Sequence, residues 1–118
     1  MGKEICRAVK EKRVIKFYYK GYLRIVEPYA YGIHKTTYNK ILRAFQIAGG
    51  SSSEEIVGWK LFIVDEISFL ITTNEQFNVR PGYTLNDSAM GKIICQVDYW
   101  NNEKSFQWVC LLFVLKTR

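Results

Sequence analysis

The sequence has few of the residues from which metal sites and disulfide frameworks are built. It contains one histidine, His34, and three cysteines, Cys6, Cys95 and Cys110, without a Cys-x-x-Cys pair. Structural zinc sites need four Cys or His ligands at short spacings, and a disulfide framework uses an even number of cysteines. We therefore expect no metal, no cofactor and reduced thiols, which is the usual state of cysteines in the cytoplasm.

Long apolar runs are missing too. The longest, Trp108 to Leu115, has eight residues, whereas a membrane-spanning helix needs about 20. The N-terminal residues are charged rather than apolar, unlike those of a secretory signal peptide. These absences predict a soluble, cytoplasmic protein that does not enter a membrane.

Catalytic motifs are also lacking. The acidic pairs Glu54-Glu55 and Asp65-Glu66 are sequence neighbours, and neighbours on a strand point to opposite faces, so neither pair converges for acid-base chemistry. Gly49-Gly50 is followed by Ser51 to Ser53 and not by the lysine of a phosphate-binding loop, and these serines have no nucleophile-elbow pattern. We expect that the protein is not an enzyme.

Aromatic and basic side chains, by contrast, are abundant. The 118 residues are 48% hydrophobic and 15% aromatic, which indicates one folded domain rich in strands. Residues 1–48 hold eleven Lys or Arg against three Glu, whereas residues 49–98 hold three against seven acidic residues. A one-sided basic field favours a polyanion such as nucleic acid, so the N-terminal half is the expected contact half.

Hydrophobic periodicity predicts the elements of a mainly β fold. Residues 3–13 have the spacing of a short amphipathic helix, and Thr84 or Asn86 is placed to cap a second short helix near residues 84–92. Alternation predicts five strands, at residues 14–19, 22–31, 40–47, 59–64 and 65–73. Pro28 has no N–H, so its strand is expected to bend or to lie at a sheet edge. Five short strands without a βαβ pattern favour a small antiparallel barrel.

The last residues differ in character from the rest. We expect a domain of residues 1–98 followed by a hydrophobic extension, residues 99–118, that forms one more strand or an interface segment. An exposed edge as apolar as Phe106 to Leu115 is an association hazard, so it has to pair within the fold, in a homodimer or with a partner protein. This is the basis of an alternative function, that of a protein-interaction or oligomerisation subunit.

Five short motifs, in order and spacing, resemble those of WYL domains. They are R-x-V-E-P at Arg24–Pro28, Y-x-x-G-x-H-K at Tyr29–Lys35, L-R-A-F-Q at Leu42–Gln46, G-W-K-L-F at Gly58–Phe62 and D-E-I at Asp65–Ile67. The resemblance covers roughly residues 5–97. It departs from the family in two places: the name-giving Trp-Tyr-Leu reads Lys40-Ile41-Leu42, and Lys60 stands where the family has an arginine. The lysine keeps the charge but not the bidentate fork.

The resemblance implies a fold, a function and a set of contact residues. The fold would be an Sm-like or SH3-like five-stranded β-barrel, here without the helix-turn-helix that most relatives carry. The function would be ligand sensing, commonly of nucleic acid or a nucleotide, in bacterial transcription regulation or anti-phage defence. We expect single-stranded nucleic acid or a nucleotide to be held at its phosphates by Arg24, Lys35, Arg43 and Lys60, and to be oriented by His34 and Gln46. Base stacking is expected from Tyr29, Tyr31 and Phe45.

Each of these residues has a structural alternative. Arg24 and Lys60 would pair with Glu27, Asp65 or Glu66 across strands, and Lys35 would be a solvated loop charge. A single histidine such as His34 would be structural. Tyr29, Tyr31 and Phe45 would pack in the core, and Trp59 would pack at one end of the barrel.

Overall fold

The computed structural model describes residues 1–99, and these form one helix and six strands. In chain order they are α1 (Gly2–Glu11), β1 (Arg13–Tyr19), β2 (Tyr22–His34), β3 (Lys40–Gly49), β4 (Gly58–Ile63), a 3-10 turn (Val64–Glu66), β5 (Ser68–Gln76) and β6 (Met90–Gln96). The prediction of a mainly β fold with a short N-terminal helix is confirmed. The expected C-terminal strand and the extension beyond residue 99 lie outside the described residues. No helix within residues 1–99 has the length and apolarity needed to span a membrane.

The periodic patterns place the core correctly. In α1, Ile5, Ala8 and Val9 are buried, as the helical spacing predicts. In β1, Phe17 is fully buried, while its neighbours Lys16 and Tyr18 are exposed. Helix α1 therefore packs its apolar stripe against the sheet, and β1 places Ile15, Phe17 and Tyr19 in the same core.

The sheet is antiparallel and is organised around β2. Strand order is β4-β3-β2-β1-β5, and β6 also pairs with β2. One edge of β2 pairs with β1 up to Val26 and with β6 from Ala30 onwards. Pro28 lies between these two segments, and a register shift against β3 falls between Pro28 and Ala30. The predicted irregularity is present, but the expectation of an edge position is wrong, because β2 is flanked on both sides.

A closed barrel is not confirmed. β4 and β5 are the two ends of the strand order, and the sheet of the described residues stays open between them. The fold established for residues 1–99 is therefore a six-stranded antiparallel sheet with one α-helix on it.

The stretch from residue 64 to residue 92 differs from the sequence prediction. The strand expected at residues 65–73 begins with the 3-10 turn and becomes β5 only at Ser68. The helix expected near residues 84–92 is wrong, since turns lead directly into β6 at Met90. The side chain of Asp87 accepts the N–H of Ala89 (2.9 Å), so a capping residue type here closes a turn instead of starting a helix.

The expectation of reduced thiols is also contradicted. Cys6 in α1 and Cys95 in β6 form a disulfide although they are 89 positions apart in the sequence. Their pairing depends on α1 packing beside β6, and no local spacing in the sequence reveals that contact. The third cysteine, Cys110, lies outside the described residues.

Candidate functional site

The expected contact residues do not share one face of the sheet. Along β3, Leu42, Ala44 and Gln46 are buried on the core side, and Arg43 points to the opposite side. Lys60 pairs with Ala44 and therefore lies on the core side as well. The single basic face expected from the sequence is thus divided between two sides of the sheet.

Arg24 is buried next to Gln46 and aromatic rings. Its side chain is 4% exposed, and its Nη1 donates to Gln46 Oε1 (3.2 Å) while its Nη2 donates to the carbonyl oxygen of Tyr19 (3.3 Å). Among residues 1–99 no carboxylate forms an ion pair with this guanidinium. Glu27, the expected partner, binds Arg80 instead. Burial lowers the pKa of Arg24. The predicted pairing with Glu27 is therefore absent, and rings and carbonyl-type acceptors surround the charge.

Gln46 and Lys60 both hold the connection between β3 and β4. The Gln46 amide is fully buried and donates to the carbonyl oxygens of Ala48 (3.1 Å) and Gly50 (2.9 Å). Lys60 Nζ donates to the carbonyl oxygen of Glu55 (2.6 Å) in the same connection. Both side chains thus stabilise the chain that joins the two strands, and Lys60 does not pair with the acidic residues that follow β4.

His34 organises the turn between β2 and β3. Its Nδ1 accepts hydrogen bonds from the N–H groups of Thr36 (3.1 Å) and Thr37 (3.2 Å). The lone pair of this nitrogen is thus used inside the turn. The structural alternative for this histidine accounts for the contacts it makes.

Three exposed lysines gather around the same turn. Lys40 on β3 and Lys92 on β6 both pair with Ile33 of β2, and the N–H of Lys35 donates to the carbonyl oxygen of Ala89 (3.0 Å). We call Lys35, Lys40 and Lys92 the basic turn. Lys92 was not expected from the sequence, because only the unforeseen pairing of β6 with β2 brings it there.

The tyrosines expected to stack on bases are buried in the protein. Tyr29 is fully buried, and burial raises its pKa to about 12. Tyr31 is buried as well, and the ring of Phe45 is covered by the guanidinium of Arg80 at 3.7 Å. Trp59 is the aromatic residue that reaches the surface here, with 42% of its side chain exposed. Its ring stacks on Tyr83 at 5.3 Å between centroids.

Trp59 and Arg43 line a surface cleft of about 470 Å³. The remaining lining residues belong to the turns before β6 and are Gly82, Tyr83, Thr84, Asn86, Asp87 and Ser88. Arg43 Nε donates to Asp87 Oδ2 (2.6 Å) and Nη2 donates to Oδ1 (3.4 Å). Asp87 is largely buried, so the pair forms a fixed wall of the cleft.

The electrostatics of the cleft follow from this pair. Burial alone would raise the pKa of Asp87, but the hydrogen bonds from Arg43 and from the N–H of Ala89 outweigh it and lower the pKa. Burial raises the pKa of Tyr83 to about 12. The Tyr83 hydroxyl has no hydrogen-bond partner among the described residues. At neutral pH the cleft therefore has an ionised Arg–Asp pair and a neutral phenol.

The sequence predicted one residue of this cleft as a contact, Arg43. Trp59 was expected to pack at an end of the fold, and Asp87 was assigned to a helix. A basic residue on an apolar strand face does signal a partner, but that signal does not say which of the ten described acidic residues will provide the carboxylate. Asp87 lies 44 positions further along the chain.

The fold and the site together define a mainly β protein with a ligand-sized cleft between an aromatic pair and an ionised arginine–carboxylate pair. Within residues 1–99 there is no group of three or more His, Cys, Asp or Glu able to hold a metal ion. No protein-family model, curated protein or solved structure matches this chain. The resemblance to WYL domains therefore rests on the five motifs alone.

Proposed function

We propose that this protein is a ligand-sensing module that binds single-stranded nucleic acid or a nucleotide, with a base in the cleft beside Trp59. The observation that carries the proposal is the half-exposed indole of Trp59 in a cleft that also contains the Arg43 guanidinium. An aromatic platform next to an arginine is the usual combination for holding a base and its phosphate. The motif resemblance supports an Sm-like barrel of the WYL type and a regulatory role in bacterial transcription or anti-phage defence.

The dimensions of the cleft suit one nucleotide unit. Its volume of about 470 Å³ lies within the range of roughly 300 to 1,000 Å³ that small-molecule sites occupy. One side of the Trp59 ring is packed on Tyr83, which holds the indole in place. A base stacking on such a ring contributes about 1 to 3 kcal/mol, independent of its identity. We therefore expect weak preference among bases.

Arg43 provides the anion contact in this proposal. Two of its nitrogens are occupied by Asp87, and a guanidinium has five N–H donors, so three remain. The ion pair holds the side chain in one position, which lowers the entropy lost when a phosphate or a base edge binds. The hydroxyl groups of Thr84 and Ser88 stand on the rim as further hydrogen-bonding groups.

The basic turn continues the site beyond the cleft. Ser88 lines the cleft, and the next residue, Ala89, accepts the N–H of Lys35. A strand that leaves the cleft over Ser88 would meet Lys35 and then the end of the sheet that bears Lys40 and Lys92. In this assignment Arg24, Gln46 and Lys60 support the β3–β4 connection and do not touch the ligand.

The test measures, by fluorescence anisotropy, the binding of labelled single-stranded DNA, single-stranded RNA and duplex DNA to the protein. It is carried out at low and at physiological salt. Unlabelled nucleotides serve as competitors. We expect single strands to bind more tightly than duplex, with affinity that falls steeply as salt rises. Trp59→Leu should weaken binding by a factor of about 5 to 150, which corresponds to the roughly 1 to 3 kcal/mol that stacking of one base contributes.

A charge-matched pair of variants separates the site from the general basic field. Lys35→Gln with Lys92→Gln removes two charges of the basic turn, and Lys3→Gln with Lys16→Gln removes two exposed charges elsewhere. Only the first pair should reduce affinity and the salt slope. Equal losses in both pairs, or no binding of any nucleic acid or nucleotide at low salt, would overturn the proposal.

A further inference from the structure

The disulfide lies directly beside a pair of hydrogen bonds that reaches the cleft. Cys95 of β6 is bonded to Cys6 of α1. The next residue, Gln96, binds Asn86, which lines the cleft. Gln96 Oε1 accepts the backbone N–H of Asn86 (2.9 Å), and Gln96 Nε2 donates to Asn86 Oδ1 (3.0 Å). We call these two hydrogen bonds between Gln96 and Asn86 the amide clamp.

The amide clamp holds the turn from which the wall of the cleft is built. Asn86 has a left-handed backbone conformation, with φ 62°, which asparagine adopts more readily than most residues but which still costs energy. The following residue, Asp87, forms the ion pair with Arg43 and accepts the N–H of Ala89. The position of the Asp87 carboxylate therefore depends on a turn that Gln96 stabilises.

β6, which bears Gln96, is held to the sheet along one edge. Within residues 1–99 it pairs with β2 and with no other strand. That pairing is interrupted by two register shifts, one between Tyr31 and Gly32 and one between Ile33 and His34. Such shifts leave residues unpaired and disrupt the ladder locally. The disulfide adds a covalent tie from β6 to α1, and its loss would act on the end of β6 that forms the amide clamp.

We propose that the Cys6–Cys95 disulfide is a redox switch for the cleft. In the oxidised chain, β6 and the amide clamp hold Asp87 against Arg43, and the cleft binds its ligand. Reduction frees the end of β6, loosens the amide clamp and weakens binding. The proposal rests on the proposed function for the identity of the ligand, but the loosening of the turns can be measured without any ligand.

The switching step is thiol–disulfide exchange with an external dithiol. Cys6 and Cys95 are both half-buried, so neither is enclosed in the core. A thiolate of the dithiol attacks one sulfur of the pair, and the other sulfur leaves as a thiolate and takes up a proton. The second thiol of the reagent then displaces the cysteine that it holds. The reagent is thereby oxidised to a disulfide, and the chain gains two electrons and two protons.

NMR of the ligand-free chain tests the structural part of the proposal. The full-length chain carries Cys110→Ser, which leaves one cysteine pair, and is compared in its oxidised form and after reduction by dithiothreitol. We expect the N–H resonances of Asn86 and Ala89 to shift or broaden on reduction. Those of Ile15 and Val26, which pair in β1 and β2, should keep their positions and show that the sheet stays folded.

Binding of a labelled single-stranded oligonucleotide at low salt tests the functional part. Affinity should fall by a factor of about 5 to 150 on reduction, the range typical of coupling between two sites in one protein. Cys6→Ser should bind as weakly as the reduced chain and should not respond to dithiothreitol. Circular dichroism of each form shows that the chain is folded under the conditions of the measurement.

Gln96→Leu breaks the amide clamp while the disulfide remains. It should weaken binding in the oxidised chain and should remove most of the effect of dithiothreitol on affinity, because the two changes act through the same contact. Gln76→Leu is the matched control, since the amide of Gln76 donates to the carbonyl oxygen of Glu11 and not to the cleft. It should leave both the affinity and the response to dithiothreitol unchanged.

Failure of the switch can be told from failure of the proposed function. Unchanged resonances of Asn86 and Ala89 on reduction, or unfolding of the whole sheet, would overturn the switch whatever the ligand is. A full response to dithiothreitol in Gln96→Leu would also overturn it. If the oxidised chain binds no nucleic acid or nucleotide, the proposed function fails, whereas a shift of the Asn86 and Ala89 resonances on reduction still supports a redox-controlled cleft.

Discussion

Arg43 and Asp87 are 44 positions apart in the sequence, yet the Arg43 Nε and the Asp87 Oδ2 lie 2.6 Å apart and form one wall of the cleft. The pair joins the middle of β3 to the turns that precede β6. It fixes the position of the arginine and at the same time anchors a stretch of chain that has no helix or strand of its own. Stability and the geometry of the site thus depend on the same contact.

Replacing Asp87 should destabilise the protein in a pH-dependent way. The pKa of Asp87 is lowered in the folded state, so the carboxylate contributes stability at pH values above its unfolded pKa, about 4, and loses this contribution as the pH falls through the folded pKa. We expect Asp87→Asn to lower the free energy of unfolding by about 1 to 3 kcal/mol at neutral pH. Urea unfolding at neutral and at acidic pH measures this free energy, and the difference in unfolding free energy between variant and wild type should shrink in acid. Asp65→Asn, at an exposed aspartate, is the control and should change stability little at either pH.

The disulfide between Cys6 and Cys95 should be a major source of stability. It joins residues 89 positions apart, and disulfides typically stabilise proteins by about 2 to 4 kcal/mol, with the larger values expected for long loops. Cys95→Ser should lower the free energy of unfolding by that amount, and a reducing agent should have the same effect on the wild type and none on the variant. Cys110→Ser is the control. If reductant leaves the unfolding midpoint of the wild type unchanged, the two thiols are not bonded in solution.

Two tyrosines should make the protein sensitive to alkali. The pKa values of Tyr29 and Tyr83 are each raised by burial to about 12, against about 10 in an unfolded chain. Between these pH values the unfolded chain has lost more protons than the folded one. The contribution of the two neutral phenols to stability is therefore fully present below about pH 10 and should fall as the pH rises from about 10 to 12. Absorbance titration of tyrosinate should show two late-titrating groups, and each Tyr→Phe variant should remove one.

At neutral pH the hydroxyl groups of the same two tyrosines should contribute differently to stability. The Tyr29 hydroxyl accepts the N–H of Arg80 (2.8 Å), whereas the Tyr83 hydroxyl has no partner among the described residues. We expect Tyr29→Phe to cost about 1 kcal/mol of unfolding free energy and Tyr83→Phe less than about 0.5 kcal/mol. Thermal unfolding of both variants is the measurement. A larger cost for Tyr83→Phe would show that its hydroxyl has a partner in solution.

Arg24 and Gln46 should behave as one structural unit. Gln46→Leu would remove the acceptor of Arg24 Nη1 and the amide that donates to the carbonyl groups of Ala48 and Gly50, at a cost of about 1 to 3 kcal/mol of unfolding free energy. Arg24→Met combined with Gln46→Leu should cost less than the sum of the single changes, because the two share a hydrogen bond. Gln76→Leu, at an exposed glutamine whose amide donates only to the carbonyl oxygen of Glu11 (3.1 Å), is the control and should cost less. Strict additivity would contradict the coupling.

The fold was predictable wherever local periodicity decides it. The apolar stripe of α1 and the alternation in β1 depend only on the spacing of residues such as Ile5 and Phe17, and the structure buries both. Strand β6 was missed because Met90–Gln96 becomes a strand by pairing with the part of β2 that β1 leaves free. The disulfide was missed for the same reason, since Cys95 meets Cys6 only once β6 is in place.

The site was less predictable than the fold. The sequence shows that Arg24, Arg43 and Lys60 are basic residues on apolar strands, but not on which side of the sheet each will lie. The register between β3 and β4 decides this: Lys60 pairs with the buried Ala44 and lies on its side of the sheet, whereas Arg43 pairs with Leu61 on the other side. The exposure of Trp59 likewise depends on the turns around Tyr83, which come from a distant part of the chain.

The most direct test of the proposed site is a titration of the protein with a short single-stranded oligonucleotide, followed through the indole N–H resonance of Trp59 by NMR. The Trp59→Leu variant assigns that resonance among the three tryptophans. We predict a saturable shift of the Trp59 indole and of the Arg43 Nε–H at low salt, with an affinity that weakens as salt is added. An unchanged Trp59 resonance at saturating oligonucleotide or nucleotide would contradict it and would place any binding elsewhere on the molecule.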